Sequence, residues 1–117
     1  SNPDAEEIAR AWLLKGDLRE ARDVTIDSSW YEDLAPSPVD VESVEINDLF
    51  SAGDRVAFHI SQTGSYAGGW PRVDDTLVGK TTTMSCVGLV AVEGGAVTRV
   101  RAITDQVGAR AGLRGEG

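Results

Sequence analysis

The stretch from Asp54 to Asp105 constrains this chain more than any other. It holds three runs of alternating residues separated by glycine turns. Such period-2 runs specify strands with one face toward a core. In the first run, Val56, Phe58 and Ile60 point one way and Ala57, His59, Ser61 and Thr63 the other, out to Tyr66. A glycine-rich loop follows, Ala67-Gly68-Gly69-Trp70-Pro71, and then polar residues to Lys80. Thr81 to Val92 is the second strand, and Gly94-Gly95 is a two-residue hairpin signal that returns the chain along Ala96 to Asp105. Counting outward from that turn pairs Val92 with Val97, Val90 with Arg99, Gly88 with Arg101, Cys86 with Ile103 and Met84 with Asp105. Asp105 is therefore expected to share a face with Met84, Cys86 and Ile103, pointing into a small-molecule pocket. Val87, Leu89, Val100 and Ala102 are expected on the opposite face.

The N-terminal half supplies a lid and a further wall. Residues 3–15 are expected to be helical, with Asn2 as cap, Pro3 in the first turn and Asp4, Glu6 and Glu7 complementing the helix dipole. Ile8, Trp12, Ala9 and Leu13 share one face. Lys15-Gly16 reads as a stop, and Asp17 with Glu20 as the capping-box start of a short second helix to about Asp23. Val24 to Asp33 alternates as a strand until Pro36 and Pro38 break it. Val39 to Phe50 is another strand whose apolar phase shifts between Val41 and Val44, which predicts a bulge near Glu42-Ser43. The last ten residues contain four glycines, and 108–117 is expected to be a flexible tail. Ser1-Asn2 is expected to be a cloning remnant.

Composition excludes several function classes. At 117 residues the chain is one domain that buries roughly two-thirds of its unfolded surface. Its 19 acids against 11 bases give a net charge of −8, and no basic run exists, which argues against nucleic acid and anionic membranes. One cysteine, Cys86, permits no internal disulfide and no multi-cysteine zinc site. No apolar run reaches the length of a membrane span, and no signal peptide is visible. The expectation is a soluble cytoplasmic protein that needs no cofactor and no metal.

Two short helices, a strand and a long curved antiparallel sheet form the element order of the cone-shaped NTF2-like fold, an α+β class with N-terminal helices packed on the concave face. Local motifs agree. Lys15-Gly16-Asp17-Leu18 resembles the Gly-Asp-Leu turn of the SnoaL-like polyketide cyclase family, and Trp30-Tyr31-Glu32-Asp33 resembles its first-strand end. Gly53-Asp54-Arg55-Val56 is similar to its Gly-Asp-Arg-Val strand start, and Thr63-Gly64-Ser65-Tyr66 to its Thr-Gly-Thr-His strand end. Val92 to Val97 resembles its hairpin, and Arg101 to Asp105 its Trp-x-x-x-Asp. The resemblance spans residues 5 to about 107. Three departures stand out. Only Leu34 to Pro38 separates the first two strands where the family carries a helix, Tyr66 replaces a frequent histidine, and Arg101 a frequent tryptophan.

The resemblance implies that Asp105 is the general acid/base of a cyclisation or isomerisation of an apolar carbonyl compound. Desolvation on an apolar wall would suit a carboxylate to that role. The structural reading is a strand-end aspartate that caps a neighbouring turn. Asp33 lies near the place of the ketosteroid isomerase base, but it also precedes a proline-rich turn where Asp is a common residue. Tyr66 and Trp70 are candidates to orient and cover a substrate, or to staple the glycine loop. Trp12, Trp30, Met84, Ile103 and Arg101 complete the expected substrate wall. His59 reads as a solvated sheet-face residue. The competing hypothesis is a non-catalytic ligand-binding or dimeric module, since the fold hosts both. A homodimer is expected from a sheet with two apolar faces.

Overall fold

A computed structural model describes residues 1–15, 17–28 and 38–116. The helix α1 spans Pro3–Leu13. Asn2 caps it by accepting from the Ala5 N–H, and Pro3 loses nothing at a position whose N–H has no helical partner. The Asn2 N–H donates to Ser51 Oγ at 2.7 Å, and that hydroxyl donates to Glu6 at 2.5 Å. The start of α1 is thereby pinned to a sheet corner. The second helix is a single 3-10 turn, Leu18–Glu20, capped by Asp17 through the Arg19 N–H.

Five strands form one sheet: β1 (Asp23–Ser28), β2 (Val39–Ala52), β3 (Arg55–Tyr66), β4 (Thr81–Glu93) and β5 (Ala96–Thr104). Their order is β1-β5-β4-β3-β2. Neighbours from β2 to β5 are antiparallel, as expected, while β1 joins β5 in parallel and makes the sheet mixed. The expected bulge in β2 falls between Val41 and Ser43, and a second lies between Ile46 and Asp48. Each extra residue bends the strand, and a sheet bent this way curves around what packs on it. The β4–β5 turn is at Gly94-Gly95, with φ of 59° and 79°. Two successive positive φ values match the type I′ turn that suits the twist of a hairpin.

Below that turn the register departs from a uniform count. Val92 pairs with Val97 as expected, but Ala91 pairs with Arg99, so Thr98 is an extra residue. Everything after it changes face. Val90 meets Val100, Gly88 meets Ala102 and Cys86 meets Thr104. The reason is energetic. A uniform register would put Arg99 and Arg101 on the core face, where an unpaired guanidinium costs several kcal/mol, on the order of the stability of the domain. The bulge buries Val100 and Ala102 and leaves both arginines outside. The expectation that Val100 and Ala102 lie on the face opposite Met84 and Cys86 is corrected accordingly.

One face of the sheet carries two adjoining cores. The first lies under α1 and unites Ala5, Ala9 and Leu13 with Val56, Phe58, Ile60, Cys86, Val90 and Val100. The second unites Val39, Tyr66, Trp70, Val73 and Met84 with Ala109 and Leu113. The last two belong to a helix, α2 (Gln106–Leu113), in the segment expected to be a tail. It forms because Gln106, Ala109, Arg110 and Leu113 recur at helical spacing and are all buried. Tertiary burial of that stripe outweighs the weak propensity of its glycines. Among the described residues no helix is long and apolar enough to cross a membrane.

Candidate functional site

The residues expected to carry chemistry meet in part, at the junction of β3, β4 and α2. Tyr66 ends β3 on the inner face, and the loop after it folds back so that the Trp70 ring stacks on the Tyr66 ring at 5.5 Å and 16°. The Trp70 backbone N–H donates to Tyr66 Oη at 2.8 Å. Its indole N–H donates to Gln106 Oε1 at 3.1 Å, and Arg110 Nη2 donates to the same oxygen at 3.4 Å. The Arg110 guanidinium lies 5.3 Å from the Trp70 ring centroid, within cation–π range. Met84 packs in the same core. Tyr66 and Trp70 thus act as the staple of the glycine loop, with their polar atoms engaged by the protein.

Asp105 caps α2. Its carboxylate accepts from the Gly108 N–H at 2.8 Å, while its own N–H donates to the Ser85 carbonyl at 2.8 Å. A Cβ at position 108 would collide with this carboxylate, so glycine there is a condition of the cap. The capping reading of Asp105 therefore describes its place. The expected face is corrected: Asp105 sits half-buried at the strand end, beside a register displaced by Thr98. Ile103 shares no face with Met84 and Cys86. It is 51% exposed on the outer side, whereas those two are buried.

The remaining candidates are dispersed. Arg101 is on the outer face and pairs with Asp23 at 3.0 Å. Its hydrogen bond, aided by Arg99, holds the Asp23 carboxyl below the usual carboxylate range. Trp12 is half-buried on α1 and packs against the first core, not the second. Trp30 and Asp33 lie outside the described residues. His59 is on the outer face as expected, with Nε2 2.8 Å from Ser85 Oγ.

Gln106 and Arg110 were not among the sequence candidates, nor was α2 itself. The helical recurrence of Gln106, Ala109, Arg110 and Leu113 was the available signal, and the glycines obscured it. Two long-range bonds then seat the helix on β4. Thr82 Oγ1 donates to the Ala109 carbonyl at 2.7 Å and Lys80 Nζ to the Leu113 carbonyl at 3.0 Å, the latter serving a helix C-terminus that lacks internal donors. Thus α2 covers the part of the inner face formed by Tyr66, Thr82 and Met84.

No family model and no curated protein matches the chain. Solved structures do. A protein of Acidithiobacillus ferrooxidans, provisionally described as a polyketide cyclase, is 27% identical over 64% of this chain, with a TM-score of 0.52. The match spans about half of that protein, 51% of its length. AclR of Streptomyces galilaeus, provisionally described as a hydroxylase, aligns with 100% of this chain and 88% of its own at 17% identity and a TM-score of 0.66. IdmH of Streptomyces antibioticus, provisionally described as a polyketide cyclase, aligns over 96% and 97% of the two chains at 18% identity and a TM-score of 0.60. With its curved sheet, helix-covered inner face and these neighbours, the chain has the NTF2-like fold and is similar to proteins provisionally described as polyketide cyclases.

Proposed function

We propose that this chain is a non-catalytic binding module of the NTF2-like fold that pairs with a second copy of itself. The observation that carries the reading is the use made, among the described residues, of Asp105 and of the expected substrate-binding groups Tyr66, Trp70 and Met84. Asp105 is committed to the Gly108 N–H, and Tyr66, Trp70 and Met84 are sealed in the core beneath α2. A general acid or base must reach the proton it transfers, within hydrogen-bond distance of a bound substrate. One cysteine gives no sign of an oxidising compartment, so the reading keeps a cytoplasmic location by default, and it needs no cofactor.

The outer face of the sheet supports the pairing. Val87, Leu89 and Ile103 are 48%, 44% and 51% exposed there. Arg99 and Arg101 flank them on β5, and Glu45 and Asp48 lie beyond them on β2, opposite Ser61 and His59. A two-fold axis through the sheet centre would place the basic side of one copy on the acidic side of the other. Self-complementary surfaces of this kind suit isologous dimers.

The similarity to a polyketide cyclase favours a second reading, in which Asp105 performs acid–base cyclisation or isomerisation of an apolar carbonyl compound. A screen of apolar ketones and polyketide-like aromatics by thermal shift, followed by turnover assays, separates the two. Asn is as good a helix cap as Asp, so Asp105→Asn preserves the fold. The binding-module reading expects no turnover in either protein. Turnover by the parent that Asp105→Asn abolishes would establish the cyclase reading instead.

A further inference from the structure

The outer sheet face has two halves, and the chain's single histidine stands on their border. Toward the β4–β5 hairpin the face is apolar. Phe50 on β2, 61% exposed, adjoins Ala57 and Leu89 in one row across the strands, and Val87 and Ile103 follow in the next. Toward the other end it is hydroxylated, and its polar groups bond one another. Asn47 donates to Ser61 Oγ at 2.8 Å, and the Thr63 and Thr83 hydroxyls are 2.9 Å apart. Polar groups paired within a face can be covered without stranding a donor. His59 lies in the row of Asp48, Val87 and Ile103. Its Nε2 is 2.8 Å from Ser85 Oγ, which draws the ring over β4 and away from Asp48 on β2.

We propose that His59 is a pH switch on the pairing of copies, which the neutral imidazole permits and protonation releases. Such a switch rests on the paired state proposed above. Histidine is the side chain whose ordinary titration falls between about pH 5 and 8, and the chain has no second one. His59 is half-buried already, and a second copy seated on Val87, Leu89 and Ile103 would cover its ring.

Neighbouring charges set the direction. Among the described residues, β2 presents Glu45 and Asp48, and β3 itself presents Arg55 four residues away. Around the ring β4 offers Thr83, Ser85, Val87 and Leu89, none of them titratable. Arg99 and Arg101 lie two strands off on β5, bridged to Asp23. Asp48 favours an imidazolium, but it is exposed on an edge strand, where water screens the attraction. Covering a charge costs more than an exposed pair of this kind returns. The two-fold pairing would also bring the basic side of a second copy toward the acidic side that holds His59, setting like charge against like. Both effects disfavour the protonated ring in the paired state.

Sedimentation equilibrium of the whole chain at pH 7.5 and 5.5 tests the switch, with circular dichroism to follow the fold at both. Linkage to one proton excluded from each copy, on a group that titrates at about 6.5, is expected to raise the dissociation constant of the parent about 100-fold between the two conditions. His59→Gln keeps a polar nitrogen in place of Nε2 and has no proton to gain, so it is expected to pair with one affinity at both. A parent dimer whose affinity is unchanged or higher at pH 5.5 would overturn the switch and leave the pairing standing. So would a His59→Gln dimer that weakens as the parent does, since the carboxylates would then be responsible. A parent that is a monomer at both pH values would overturn the pairing itself and the switch with it.

Discussion

Cys86 sits in the first core opposite Ile60, and burial pushes its thiol up to about 12 from an ordinary 9.0. The folded state therefore keeps this proton where the unfolded chain has lost it. Between pH 9.0 and about 12 the unfolded state binds fewer protons, so stability falls as pH rises through that window. The loss approaches 1.4 kcal/mol per pH unit at most. Chemical denaturation of Cys86→Ala, compared with the parent between pH 8 and 10.5, is expected to show a shallower decline in the variant, on the order of 2 kcal/mol less by the upper end. The same burial predicts that the native thiol reacts slowly with a disulfide reagent at pH 8 and quickly once unfolded. That Cys86 is internal was legible from strand parity. Its neighbour across β5 was not, because Thr104 took the place expected for Ile103.

At the scale of the element, α2 separates two glycines that look alike in the sequence. Gly112 has only an ordinary contact with Thr82 Oγ1 where a Cβ would stand, while Gly108 would press on the Asp105 carboxylate. Glycine inside a helix is worse than alanine by about 0.5–1 kcal/mol. Gly112→Ala is expected to stabilise the protein by about that amount, and Gly108→Ala to stabilise it less or to destabilise it, because the cap must open. Thermal melts of the two variants check the ordering. Leu113→Ala deletes a fully buried side chain from the second core and is expected to cost about 2–5 kcal/mol. Here the two bulges show the reach of pattern reading. The one in β2 was legible because the apolar residues themselves change parity between Val41 and Val44. The one at Thr98 carried a similar mark, Val97 giving way to Val100 and Ala102, but a count from the hairpin assumed a uniform ladder.

The whole molecule presents two surfaces with different demands. Among the described residues, α1 and α2 pack on its inner face, while its outer face leaves Val87, Leu89 and Ile103 to solvent. Exposed apolar groups at the middle of a sheet mark an interaction surface more often than isolated ones do. Light scattering at micromolar concentration is expected to give the mass of two chains. Leu89→Glu, a change on the exposed face of β4, is expected to give the mass of one chain with little loss of folding stability. An unchanged dimer in that variant would place the interface elsewhere.

Local order needed only the chain itself. The alternation of β3 and β4, the Gly94-Gly95 turn, the Asn2 cap and the α+β class all depend on near neighbours, and near neighbours are written in the sequence. Tertiary structure decided where the carboxylate and the cations went. Whether Asp105 faces a pocket or caps a helix depends on one extra residue at Thr98 and on whether the stretch after it is covered. The register was settled by the cost of burying Arg99 and Arg101, a sum over strands distant in sequence. The covering was settled by Tyr66, Thr82 and Met84, which give a glycine-rich segment enough buried surface to become α2. That helix covers the sheet end where the site was expected and turns Arg110 inward onto Trp70 and Gln106.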